Sequence, residues 1–142
     1  MERYEISKEL KQTLREEVYD VLGCGMAVHK EMRSGLSEYI YQDAMEIALT
    51  QAGIPFLREY HFVPQFRNTP LKHDYYIDFY IRGRICFECK SVEAISSVHR
   101  QQLWNYMRLT RSPIGILYNF APPVDQVEKY YYDLEQDCIA PF

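Results

Sequence analysis

The sequence predicts an α/β domain of αβββαβ type, with a mixed sheet flanked by helices. Three features of the apolar pattern predict it. Apolar residues recur at three- and four-residue steps through the first fifty positions, switch to alternation between residues 56 and 92, and return to helical spacing before an almost wholly apolar strand.

Leu10, Leu14, Val18, Val21, Leu22, Met26 and Val28 mark one face of a helix from Ser7 to about Met32, with Ser7 as its N-cap. A second helix follows Ser34-Gly35 and runs to about Ala52, with Ile40, Ala44, Ile47 and Ala48 on its inner stripe. Gly53 and Pro55 stop it. Strands follow at about Phe56 to Phe66, Tyr75 to Arg82 and Arg84 to Val92, and the stretch from Asn68 to Lys72 is the loop between the first two. A third helix begins at Ser96 or Ser97 and ends by Arg111. Pro113 then opens the strand Ile114 to Phe120, apolar enough to be central. The tyrosines of the run from Val127 to Leu134 favour an edge strand there, with a helix as the alternative.

A chain of 142 residues fits one domain with a real core. No stretch approaches the roughly 20 apolar residues that span a bilayer, so no membrane partner is expected. Met1-Glu-Arg-Tyr-Glu is charged from the start, unlike a signal peptide, which makes the cytoplasm the expected compartment. Four cysteines are too few for a disulfide scaffold. Net charge is −4, yet the segment from Arg58 to Arg111 carries nine Lys/Arg against five Asp/Glu, a balance of +4, and the remainder is −8. That basic segment is compatible with a nucleic-acid footprint and equally with solvated surface.

The same segment holds the chemistry. Around Gly83 the alternation places Tyr75, Ile77, Phe79 and Ile81 on one side and Asp78 on the other, then Ile85, Phe87 and Cys89 opposite Glu88 and Lys90. A hairpin centred on Gly83 sets Asp78 across from Glu88 with Cβ atoms roughly 5 Å apart, so both carboxylates reach one cation. Mg²⁺ or Mn²⁺ suits such oxygen ligands, with the Cys89 carbonyl as a third donor. Lys90 lies about 6.6 Å along the same face and can orient an attacking water or hold a phosphate. Taken alone, such spacing arises on any strand with one wet face. Two further elements add to it. Gly35-Leu-Ser-Glu38-Tyr-Ile-Tyr41 puts a glutamate in the first turn of the second helix with a tyrosine three residues on, where the carboxylate also suits the helix N-terminus. Gln102 and Tyr106 stand four apart on the third helix, able to hydrogen-bond a phosphate, with core packing as the plainer role for Tyr106.

Together these residues resemble the GxxExxY proteins, a branch of the PD-(D/E)XK nuclease superfamily. The resemblance runs from about Val28 to Phe120 and includes Val28-His-Lys, Ile77-Asp-Phe, Phe87-Glu-Cys-Lys90, His99-Arg-Gln-Gln-Leu-Trp-Asn-Tyr106 and Gly115-Ile-Leu-Tyr-Asn-Phe120. It implies a restriction-endonuclease-like core in which Glu38, Asp78 and Glu88 match the metal site, Lys90 the catalytic lysine, and Gln102 with Tyr106 the motif of recombination-type exonucleases. The chain departs from the pattern at Arg33-Ser-Gly35, where a Gly-x-Gly is usual, and at Ile77, where the superfamily has proline.

The expectation is metal-dependent hydrolysis of DNA. Catalysis falls to Asp78, Glu88 and Lys90, metal binding to Glu38, Asp78, Glu88 and Cys89, and substrate binding to Gln102, Tyr106, Tyr41 and Arg100, with His99 beside them. A homodimer or a protein partner is compatible with the sequence. Two alternatives stand beside it: a non-catalytic nucleic-acid-binding module, and a zinc or redox protein built on Cys86 and Cys89. Strand geometry opposes the second, because residues three apart on a strand face opposite ways.

Overall fold

Two helices open the chain. In the computed structural model, which describes residues 2–142 and side chains from Lys8 onward, α1 spans Glu2–Met32 and α2 spans Glu38–Gln51. Helix α1 runs through Ser7, which therefore does not cap it; the preceding residues include no helix breaker, so the helix starts earlier. Helix α2 buries Tyr41, Met45 and Leu49, whereas Ile40 and Ile47 are 41% and 58% exposed. A stripe drawn from aliphatic residues omits Tyr41, and its ring sets the helix's rotation by stacking on Phe120 with centroids 4.7 Å apart.

The main sheet has six strands in the order β1-β4-β5-β6-β7-β8: β1 Phe56–Phe62, β4 Tyr75–Ile81, β5 Ile85–Lys90, β6 Ile114–Asn119, β7 Gln126–Asp133 and β8 Cys138–Pro141. Only β5 and β6 are parallel, as the crossover helix α3 (Ser97–Thr110) between them requires. This is a mixed sheet flanked by helices, consistent with a restriction-endonuclease-like core. Two strand limits differ from expectation. The strand expected from Phe56 to Phe66 ends at Phe62, before Pro64, and Gln65–Phe66 (β2) pairs instead with Thr69–Pro70 (β3) in a separate two-stranded arm, so the expected loop holds a short strand. The run near Val127 is a strand, as its tyrosines favour, but not an edge, because β8 covers it.

The sheet is packed on both faces. On one, Leu14, Val18 and Val21 of α1 and Met45 and Leu49 of α2 meet Phe79, Phe87, Cys89 and Tyr118; on the other, Leu103, Tyr106 and Met107 of α3 meet Cys86, Leu117 and Tyr130. Ile77 packs in the second group and not, as alternation implies, beside Phe79. Between them the pairing of β4 with both neighbours lapses at Asp78, and Glu59 across from it adopts a left-handed backbone (φ 51°). The sequence-local positive charge is also largely cancelled in three dimensions. Arg58, Arg82, Arg84, Arg100 and Arg108 each face an acidic side chain drawn from outside the Arg58–Arg111 segment.

Candidate active site

The β4–β5 hairpin turns through Arg82 and Gly83, both left-handed (φ 55° and 68°), a conformation that costs glycine nothing. Its register pairs Ile81 with Ile85, Tyr80 with Cys86 and Phe79 with Phe87, as a loop centred on Gly83 requires. One step further the side chains take over from the ladder. The Asp78 N–H donates to Glu88 Oε2 at 2.9 Å, and the Cys89 N–H donates to Asp78 Oδ2 at 2.9 Å. One oxygen of each carboxyl is thereby anchored on backbone while the strands part around the pair.

Glu88 is buried and Asp78 half-buried. Burial first, then the charge of Asp78, pushes the Glu88 carboxyl well above the ordinary carboxylate range. Asp78 is also raised by burial, held back by its hydrogen bonds with Glu88 and the Cys89 N–H and by Lys90. Burial therefore opposes ionisation of both carboxyls, and of Glu88 more strongly than of Asp78. Glu38, in the first turn of α2, is raised by burial, with Lys90 opposing and Asp78 reinforcing that shift. Lys90 thus faces all three carboxyls electrostatically. Glu38 and Asp78 line one open cavity of about 480 Å³ together with Tyr39, Gln42, Glu59 and Tyr76.

A family model of the PD-(D/E)XK nuclease superfamily matches residues 15–130. The chain belongs to this superfamily. No curated protein and no solved structure matches it. PD-(D/E)XK nucleases generally use divalent metals, and the donor set here suits one: hard carboxylate oxygens, with one oxygen of Asp78 and one of Glu88 anchored by a backbone amide. No three His, Cys, Asp or Glu side chains among the described residues converge on a metal position. A cation held between Asp78 and Glu88 would have to compete with the burial that opposes their ionisation.

Metal binding should therefore strengthen with pH. Asp78, Glu88 and Glu38 have raised values in the folded state, so their contribution to stability is full below the unfolded carboxylate range and is lost as pH climbs through the raised values. The expected result is a larger gain in melting temperature from saturating MnCl₂ at pH 8 than at pH 5, read by differential scanning fluorimetry. Equal gains would show that these carboxyls do not receive the ion.

Other expected site residues fall into different places in this PD-(D/E)XK domain. Tyr41 is fully buried; its hydroxyl donates to the Arg33 carbonyl and accepts from the Leu36 N–H at 3.2 Å, tying the turn around Gly35 (φ 94°) that aims Glu38. That geometry gives it a positioning task and no reach to substrate. Tyr41→Phe leaves both backbone groups unpaired and is expected to cost about 1–3 kcal/mol in urea denaturation. A loss under about 0.5 kcal/mol would contradict that task. Tyr106 is buried beside the pair, its hydroxyl raised by burial and by the charges of Glu88 and Asp78, and its ring meets Tyr75 edge-on at 5.6 Å. Gln102 is exposed on α3. Arg100 is engaged by Glu128 through two hydrogen bonds of 2.7 Å, so it is not free for phosphate. His99 completes the α3 capping box with Ser96. The Cys89 thiol is buried in the first core group and Cys86 in the second, which separates the pair a zinc or redox site needs. Burial lifts Cys86 to about 11, too high for a reactive thiolate.

Three residues escaped the sequence reading. Gln42 lies one helical turn beyond Glu38 and accepts from Arg58, a spacing that marked it out. Glu59 reaches the cavity only through its irregular backbone, which no sequence pattern signals. Asn119, fully buried beside Lys90 in the parallel register, donates to the Val92 carbonyl and accepts from the Val92 N–H, fixing the chain just past Lys90.

Proposed function

We propose that this protein hydrolyses phosphodiester bonds in DNA with Mg²⁺ or Mn²⁺, as a GxxExxY-type member of its superfamily. The observation that carries the reading is the Asp78–Glu88 carboxyl pair between parted strands, with Lys90 two residues on and Glu38 across the cavity. Asp78, Glu88 and Glu38 would hold the cation, with the Cys89 carbonyl as a backbone donor. When bound, the cation supplies a Lewis acid that offsets charge on the phosphate and acidifies the attacking water. Lys90 places an ammonium where it orients that water or pairs with a phosphate oxygen. Gln102, exposed on α3, would position the strand, with the buried Tyr106 backing the carboxyl pair one turn further along the helix.

The unconverged ligands favour one second reading, a nucleic-acid-binding module without catalysis. Cleavage of labelled linear and circular DNA, single and double stranded, with Mg²⁺, Mn²⁺ or EDTA, separates the two. Metal-dependent cutting that is lost in Lys90→Ala supports the nuclease. Binding without cutting under every metal condition supports the module.

A further inference from the structure

The β2–β3 arm has no place in the chemistry above, yet it departs from the sheet beside the carboxyl cavity. It grows from the end of the β1–β4 pair where Phe62 faces Tyr75, and every residue from Gln65 to Asp74 is exposed. Its tip is the two-residue turn Arg67-Asn68, flanked by the pair Phe66 and Thr69, with both central residues left-handed (φ 50° and 62°). Such type I′ turns select Asn, Asp and Gly. Asn68 conforms and Arg67 does not. A long cationic side chain is thus held at the tip against the backbone's preference, and its guanidinium lies 5.0 Å from the centroid of the Phe66 ring, itself 62% exposed.

Between tip and cavity the exposed rings continue. Tyr76, 56% exposed, stacks on His61 with centroids 4.7 Å apart, and Tyr76 lines the cavity together with Asp78 and Tyr39. Asp74 steadies His61 through a 2.6 Å contact. Charge is apportioned in the same direction: of the nine cations between Arg58 and Arg111, Arg67, Lys72, Lys90 and Arg111 have no acidic partner within 4.0 Å among the described residues, and of these Arg67 is at the arm's tip and Lys72 two residues past β3.

We infer that the β2–β3 arm and Tyr76 form a docking surface for a single strand of nucleic acid and lead it to the carboxyl cavity. Exposed ring faces take unpaired bases by stacking, which a duplex cannot offer along its length. Two free cations suit one strand and are too few to track a duplex backbone. The inference rests on the nuclease reading for the strand's destination, and its test is separable from that reading.

The test is fluorescence anisotropy in EDTA with a labelled 20-nucleotide oligothymidylate and a 20-base-pair duplex, using wild type, Phe66→Ala and Arg67→Asn. Wild type is expected to prefer the single strand, and each substitution to weaken it by about tenfold. Arg67→Asn should also make the dependence of log affinity on log salt shallower by about 0.7, while its melting temperature stays equal or rises, because asparagine suits the turn. Unchanged single-strand binding in both variants, or duplex bound as tightly as single strand by wild type, overturns the inference. If the protein cuts DNA while the variants bind like wild type, the arm falls and the nuclease stands. If single strands bind through Phe66 and Arg67 but no metal supports cutting, the arm stands and the nuclease falls.

Discussion

Glu88→Gln is expected to abolish DNA cleavage, by at least about a thousandfold, and at the same time to make the metal-free protein more stable at pH 8. The activity loss follows if Glu88 is a ligand as proposed, since a bound cation would contribute several kcal/mol of charge stabilisation in the transition state, about 4 of which correspond to a factor of a thousand. The stability gain has its own cause. Glu88 is buried against Asp78, and at pH 8 the folded state must either keep a proton there or confine two charges, a cost that a neutral amide removes. Glutamine retains a carbonyl oxygen to accept the Asp78 N–H, so the backbone anchor survives. Alanine would orphan that N–H and confuse the outcome. Lys90→Met should share the loss of cleavage without the stability gain. Gel-based cleavage and urea denaturation of both variants check this, and an active Glu88→Gln protein would remove Glu88 from the ligand set.

Gly115→Val is expected to destabilise the fold by about 3 kcal/mol, lowering the melting temperature by roughly 10 °C. Gly115 lies in the middle of the sheet, paired with Cys86 on β5 and Tyr130 on β7, and α3 crosses directly over it. A Cβ there would sit 2.4 Å from Met107 Sδ and 3.0 Å from Leu103 Cγ. Alanine asks mainly for a shift of the flexible Met107 end, whereas valine forces α3 off the sheet. Because α3 carries Gln102 and Tyr106, the same change should weaken whatever those residues hold. Thermal or urea unfolding reads the effect, and a loss below about 1 kcal/mol would mean that the helix contact is looser than the geometry indicates.

How much was readable beforehand varies with the range of the forces involved. The Gly83 hairpin register was legible because a period of two and a tight turn are local properties, and the pairs Phe79–Phe87 and Ile81–Ile85 follow directly from them. The motif Gly35 to Tyr41 was legible as a pattern but not in its division of labour. Only the fold brings the Tyr41 hydroxyl onto the Arg33 carbonyl and leaves Glu38 and Tyr39 to line the cavity. Arg100 looked free because its partner Glu128 is 28 residues away on β7, and the positive segment was compatible equally with a footprint and with solvated surface because its acidic partners lie outside it. Strand β8 left little trace: the four residues Cys138-Ile-Ala-Pro141 have no period to read, and it is their pairing with β7 that makes them a strand. The arm's importance was hidden for a similar reason, since positive φ at Arg67 is visible only in the backbone.

The central claim is that Glu38, Asp78 and Glu88 close on one divalent cation beside Lys90, and anomalous diffraction from crystals soaked in MnCl₂ at pH 8 tests it most directly. A single strong peak bonded to the carboxyl oxygens of Asp78 and Glu88, absent in Glu88→Gln crystals, is the predicted result. Saturating Mn²⁺ with no peak at these carboxyls, or a peak that persists in Glu88→Gln, would contradict the account.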